Sequence, residues 1–227
     1  CLPCGLHICL KVASYALLSL SVTTAVKSAA EMYLEIMGTV RDRFDVVRNL
    51  RAATGSDFAR AETAAFHGRK IVEGIAFGCL VATENGLKHV PRDAKGQWNA
   101  ENILTNLEKK KIETLPSPSL IRRATDDEKD WDGVKVVVEG IVGSRISHVE
   151  LIAIYRRLPP WLHERNPYTG QDRVEFYSSN GQKLWDDLAL VERFVERHFI
   201  SIAGHGFYCV LRDTVDGLTK VQPLSRP

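Results

Sequence analysis

The stretch that most restricts the fold is Ile71–Ala82, IVEGIAFGCLVA, which is apolar nearly all the way round a helix. An amphipathic surface helix needs only one apolar stripe, whereas a helix apolar on every side must be surrounded by other elements. The spacing predicts a long helix over about Asp57 to Thr83, with this second half as the central core helix. Gly68, Gly74 and Gly78 lie along it. Glycine inside a helix costs stability unless a neighbouring backbone packs closely against it.

An amphipathic helix precedes it. From Ala29 to Ala53, Met32, Leu34, Ile36, Val40, Phe44, Val47 and Leu50 recur at helical spacing, with Arg41, Asp42, Arg43, Asp45 and Arg48 between them as a solvated face of mixed sign. Thr54-Gly55-Ser56-Asp57 reads as a stop followed by an N-cap. Asn85-Gly86 ends the core helix, and residues 87–96 read as a loop containing Pro91. Asn99 is placed to cap a short helix reaching Lys111, where Lys109, Lys110 and Lys111 suit the negative end of the helix dipole better than a phosphate patch. Leu115–Ser119, with two prolines, reads as a linker, and Asp126–Asp132 as a charged loop. Val134–Val138 fits either a short strand or a buried turn of helix.

Further on, Asn180-Gly181 is predicted to open an amphipathic helix carrying Leu184, Leu188, Val191 and Val195 on one side, extended by Trp185 and Phe199. The period then changes from helical to alternating. Phe199–Ile202, Phe207–Leu211 and Thr219–Leu224, with Asp216-Gly217 as a hairpin turn, predict a three-stranded meander too small to fold without the helices. The expected class is α+β, mainly α. Residues 1–30 read as an apolar N-terminal extension, 31–199 as a helical bundle-like domain and 200–227 as a C-terminal antiparallel meander.

Composition narrows the functional classes. With 30 basic and 28 acidic side chains among 227 residues, no overall field draws the protein to nucleic acid or anionic lipid, and sequence-specific DNA binding is not expected. Five cysteines, only Cys79 and Cys209 in the body of the chain, do not make a disulfide framework and suit a reducing cytoplasm. Cys1, Cys4, His7 and Cys9 are of metal-ligand type but lack the two separated knuckles of a zinc motif, so no metal is expected. Residues 8–26 imitate a signal peptide, with Lys11 ahead of an apolar run. Serines and threonines interrupt that run, so a buried helix or sequence upstream of a start near Met32 competes, and a membrane span is not expected.

The densest stretch is Ser147–Pro167, SHVELIAIYRRLPPWLHERNP. Ser147 and Glu150 have the form of a capping box, after which Val149, Ile152, Tyr155 and Leu158 recur at helical spacing, leaving Arg156 and Arg157 toward the edge. Pro159 and Pro160 must stop or kink the helix, Trp161 and Leu162 suit an anchor for the turn, and Asn166-Pro167 marks a second boundary. The chain contains no phosphate-binding glycine loop, dinucleotide fingerprint, nucleophile elbow or paired-histidine zinc helix, and no cofactor is expected. What remains is arginine followed by histidine, at two places. Arg60 and His67 lie seven positions apart on one helix and so on nearly one face, and Arg156 and Arg157 precede His163 across the double proline. Histidine moves protons near neutral pH and arginine offers fixed charge to phosphate. The bland alternative is a surface arginine and a half-buried histidine at the first place, and a histidine that merely fastens the turn at the second.

An arginine followed after four to six residues by a histidine resembles the signature of HEPN-domain proteins, a helical group that includes metal-independent ribonucleases. The resemblance implies Arg157 and His163, with Arg156, as catalytic residues, Arg60 and His67 as a second candidate pair, and a homodimer across which two pairs meet. The polar residue that usually follows the family arginine is absent here, since Arg157 and Leu158 stand at those positions. Tyr155–Tyr168, YRRLPPWLHERNPY, also resembles a set of uncharacterised bacterial proteins with a tyrosine, LH and NP arrangement, over about residues 31–224. That second resemblance implies a shared, mostly helical fold and no activity. Together they imply a cytoplasmic ribonuclease or RNA-binding component of a toxin or phage-defence system. The alternative is a noncatalytic module in which Trp161, Asn166, Tyr168 and a sheet edge hold a partner protein.

Overall fold

The computed structural model describes residues 27–84, 99–111, 114–132, 135–164, 168, 172–202 and 204–224. Helix α1 (Ala29–Ala52) occupies the stretch read as helical from the sequence, Ala29 to Ala53. Ser28 accepts from the Glu31 N–H while the Glu31 carboxylate receives the Ser28 N–H, a full capping box. Helix α2 (Asp57–Glu84) runs back along it, and the glycines show how close the two come. A Cβ added at Gly74 would lie 2.8 Å from Val40, and one at Gly78 would lie 3.0 Å from the Tyr33 ring. Ile71, Val72, Ile75, Ala76 and Cys79 are all buried, as expected of a helix apolar on every side.

Among the described residues, four further helices and a short one-turn piece follow this pair. Helix α3 (Ala100–Lys109) is capped by Asn99, whose side chain accepts from the Glu101 N–H. Helix α4 (Asp126–Asp132) occupies the stretch expected to be a charged loop. Glu128 folds back onto the Thr125 N–H and clasps Arg122 through both oxygens, at 2.7 and 2.8 Å, which fixes the turn that starts it. Helix α5 (His148–Arg157) carries the expected Ser147–Glu150 capping box. Its inward face is Leu151, Ile152, Ile154 and Tyr155, whereas Val149, assigned to that face from the sequence, is exposed. One turn, α6 (Pro159–Leu162), follows the Leu158 joint, its prolines falling where an N–H has no helical partner.

Helix α7 (Arg173–Glu196) corrects a second expectation. It starts well ahead of Asn180-Gly181, with Asp172 as N-cap accepting from the Glu175 N–H, and passes through that dipeptide unbroken. Asn180 and Gly181 sit mid-helix, the amide donating to the Phe176 carbonyl four residues back.

The sheet is larger than a C-terminal meander. Strands β3 (Arg197–Ile202), β4 (His205–Val210) and β5 (Lys220–Leu224) form the expected three, but β1 (Ser117–Arg123) and β2 (Val136–Gly140) extend them to five antiparallel strands in the order β2-β1-β3-β4-β5. The presumed linker is therefore part of a strand, and the ambiguous valine run is the edge strand. Pro118 is tolerated because it lies near the start of β1, where its carbonyl still accepts the Ile141 N–H at 2.8 Å. The fold is α+β, mainly α, with one hydrophobic core running from α1 and α2 through α7 to Ile200, Ile202 and Cys209 of the sheet. Residues 1–26, which hold the cysteine cluster and the signal-like run, the loop at 87–96 and Asn166 lie outside the described residues. Among those described, no helix is long and apolar enough to cross a membrane.

Candidate functional site

Where α5 breaks into α6, both pack against the first half of α7 and leave a pocket of about 180 Å³. Its inner wall is Leu158, Trp161, Phe176 and Leu184, all buried core side chains. Pro160 and five polar side chains, Arg156, Arg157, Asn180, Lys183 and Asp187, form the rest. The break itself builds the site. An unbroken α5 would carry its axis past α7, whereas Pro159 and Pro160 turn the chain so that Trp161 drops inward, its ring 4.7 Å from Phe176 and 6.0 Å from Phe58.

Asp187 organises the charges. Its side chain is only 4% exposed, and it accepts Arg157 Nε at 2.7 Å on one oxygen and Lys183 Nζ at 2.9 Å on the other. A carboxylate taken out of water stays charged only when paired and hydrogen-bonded, and here two cations serve one anion. The cluster therefore keeps one surplus positive charge at the pocket mouth, since Arg157 and Lys183 are 41% and 60% exposed. Arg156, also at the pocket, holds Glu101 of α3 at 2.6 Å. That bond keeps the Glu101 carboxyl below its ordinary range, so Arg156 adds little free charge to the pocket.

His163 caps the C-terminal end of α6 with an extended backbone and is exposed. It does not line the pocket that Arg157 lines. Thus the arginine and histidine singled out from the sequence flank one turn, and of the two only Arg157 lines this pocket. Trp161 is 2% exposed, so its ring is an internal anchor and has no surface to offer a partner chain. Tyr168, by contrast, is 94% exposed.

Arg60 and His67 both face α1 but separately. Arg60 crosses to the end of α1, where Nη1 donates to the carbonyls of Leu50, Arg51 and Ala53, and its other amino group pairs with Asp57. It satisfies carbonyls that a helix C-terminus leaves open, which is a structural task. His67 is half-buried, with Nδ1 3.5 Å from the Arg43 guanidinium, and burial followed by that charge lowers its pKa.

Asp187 and Lys183 were not singled out from the sequence, although a signal is there. Leu184, Leu188, Val191 and Val195 define the buried stripe of α7, and Asp187 falls at the same phase, three residues after Leu184. A charge at a core phase needs a partner, and Lys183 four residues earlier supplies one. Arg157, thirty residues earlier in the chain, supplies the other, and no local pattern reveals it.

A second buried polar group joins α2 to α5. Glu73 accepts Lys70 Nζ at 2.7 Å, Arg69 Nε at 3.1 Å and the Tyr155 hydroxyl at 3.2 Å, while the Arg69 guanidinium lies over the Tyr155 ring. Burial works to raise the Glu73 pKa, but the bonds from Lys70 and Arg69 outweigh it and hold the carboxyl below its ordinary range. Among the described residues, no group of three or more His, Cys, Asp or Glu side chains gathers to hold a metal ion. In comparisons with known proteins, the chain matches no family model, no curated relative and no solved structure.

Proposed function

We propose that the protein is an RNA-binding protein whose contact with the phosphate backbone is made at the α5–α6–α7 pocket, with Arg157 and Lys183 as the phosphate ligands. The observation that carries this reading is the surplus of cation over anion around Asp187 at the mouth of a pocket with an aromatic inner wall. Two half-exposed cations can lend their remaining N–H donors to a phosphate while Asp187 fixes their positions. Trp161 and Phe176 bound the apolar space beneath. RNA cleavage is the stronger form of the proposal. In it Arg157 steadies the phosphate, and His163, on the same turn and open to solvent, moves the 2′-hydroxyl proton. That form requires His163 to reach a phosphate held outside the pocket mouth.

The test is fluorescence anisotropy with a labelled single-stranded RNA over a range of salt. Arg157→Ala and Lys183→Ala should each weaken binding by about tenfold and make the salt dependence shallower by about 0.7 in slope. Asp187→Asn removes the one anion and should tighten binding. Binding that is absent, or indifferent to all three substitutions, rejects the reading. Incubation of the same RNA with wild type and His163→Ala in EDTA, with analysis of the cleaved ends, decides between binding alone and cleavage.

A further inference from the structure

The β1–β2 pair, joined through α4, leaves the body of the sheet. Strand β1 pairs with β3 only through Ser117 and Pro118, whereas it pairs with β2 along Ser119–Arg123. Beyond Pro118 the arm is two strands wide, and a two-stranded ribbon is marginal in water without a partner for its apolar side chains. Those side chains are uncovered: Leu120 is 45% exposed and Val136 43%, with Ile121, Val137 and Val138 only half-buried. Strand β2 is also an edge. The opposite edge, β5, carries Lys220 and Pro223, residue types that discourage pairing, while β2 opens with three valines.

The register fixes which backbone groups are open. Ala124 N–H donates to the Lys135 carbonyl and Ile141 N–H to the Pro118 carbonyl, so the odd-numbered residues of β2 turn their N–H and C=O toward β1. Val136, Val138 and Gly140 turn theirs outward. An antiparallel strand that used these groups would have Val136 and Val138 in its hydrogen-bonded rungs.

We propose that the protein forms a two-fold dimer in which the outer edge of β2 pairs antiparallel with β2 of a second copy, centred on Val137. This register sets Val136 opposite Val138 of the second copy in hydrogen-bonded rungs and Val137 opposite itself between them. It also sets Lys135 opposite Glu139, twice, so the strand is complementary to itself in charge as well as in hydrogen bonding. Shifting the two-fold axis to Val136 or Val138 loses both charge pairs. On one face four valines meet next to Ile121 of each copy, covering Val136 and Val138. On the other, Glu139 keeps its 2.5 Å bond to Arg122 and gains Lys135 of the second copy. The inference does not depend on the RNA-binding reading.

The experiment is sedimentation velocity on the full chain together with cysteine cross-linking. Wild type should sediment as a dimer. Val137→Cys should form a covalent dimer on mild oxidation, well above the wild-type background, because facing residues of a non-hydrogen-bonded rung have Cα atoms about 4.5 Å apart, within disulfide reach. Lys135→Glu and Glu139→Lys should each be monomeric alone, since each sets like charges opposite each other, and should dimerise when mixed. Val138→Pro removes an outward N–H without touching the β1 ladder and should also give a monomer. A wild-type monomer, a dimer that survives both Lys135→Glu and Val138→Pro, or a Val137→Cys protein that does not cross-link would overturn the proposal.

Discussion

The Tyr33 hydroxyl lies 2.7 Å from His198 Nε2, a hydrogen bond between side chains 165 residues apart and both without solvent exposure. It joins α1 to β3 through the centre of the molecule. His198 Nδ1 lies 2.9 Å from the Val195 carbonyl, which can only accept, so Nδ1 carries the proton and Nε2 accepts from the tyrosine. The ring is thereby fixed in one neutral tautomer with both nitrogens satisfied.

Burial pushes the His198 pKa down from 6.5 to about 4. The unfolded chain therefore takes up a proton here before the folded protein does. The resulting stability is fully present above pH 6.5 and is lost as pH falls toward 4, on the order of 3 kcal/mol across that window. Urea unfolding at stepped pH should show this decline, and His198→Gln should be less stable at pH 7 with a flatter profile between those limits. An unchanged profile in the variant would remove His198 as the cause. Tyr33→Phe leaves Nε2 without its donor and should cost about 1–3 kcal/mol at neutral pH.

Two helical glycines should respond oppositely to alanine. At Gly78 a Cβ would meet the Tyr33 ring at 3.0 Å and Met37 at 3.2 Å, and the tyrosine cannot retreat without breaking its bond to His198. Gly78→Ala should lose about 1–3 kcal/mol, as overpacked cores do. At Gly38 nothing lies within 4 Å of the added atom, so Gly38→Ala should gain about 0.5–1 kcal/mol from helix propensity alone. Thermal unfolding of the two variants beside wild type makes the comparison.

Removing Arg60 separates structure from chemistry. Arg60→Ala deprives the carbonyls at the end of α1 of their donor and should cost about 1 kcal/mol, while RNA affinity stays that of wild type. A variant of normal stability with altered RNA affinity would reverse that assignment.

The Asp187 cluster should tolerate one loss better than two. Arg157→Ala leaves Lys183 on the carboxylate and should cost about 1 kcal/mol, because Arg157 is itself substantially exposed. With Lys183→Ala added, the buried Asp187 loses both cations and the double variant should lose about 3 kcal/mol, more than the two single losses together. Chemical denaturation of the four proteins closes the cycle. Simple additivity would mean that Asp187 finds water when one cation leaves.

The sequence by itself settled what depends on near neighbours along the chain. Ser147 with Glu150 and Asn99 each mark a helix start because a cap is a bond across two or three residues. The all-apolar half of α2 had to be central because no exposed face was available to it. Alternation at Phe207–Leu211 announced β4 for the same local reason. Local reading failed where a distant partner overruled local preference. Asn180-Gly181 favours a turn, yet the helix runs through it because Gly181 lies buried in α7, between the Asp172 cap and the apolar stripe after it. The prolines around Ser117 suggest a linker, yet β3, eighty residues later, recruits that segment as β1. Only the tertiary structure decided that His163 stays outside the pocket and that Arg157 belongs with Asp187 and Lys183. A cap needs a few residues to be near in sequence, whereas a buried carboxylate needs its cations near in space, and spacing along a chain does not encode that distance.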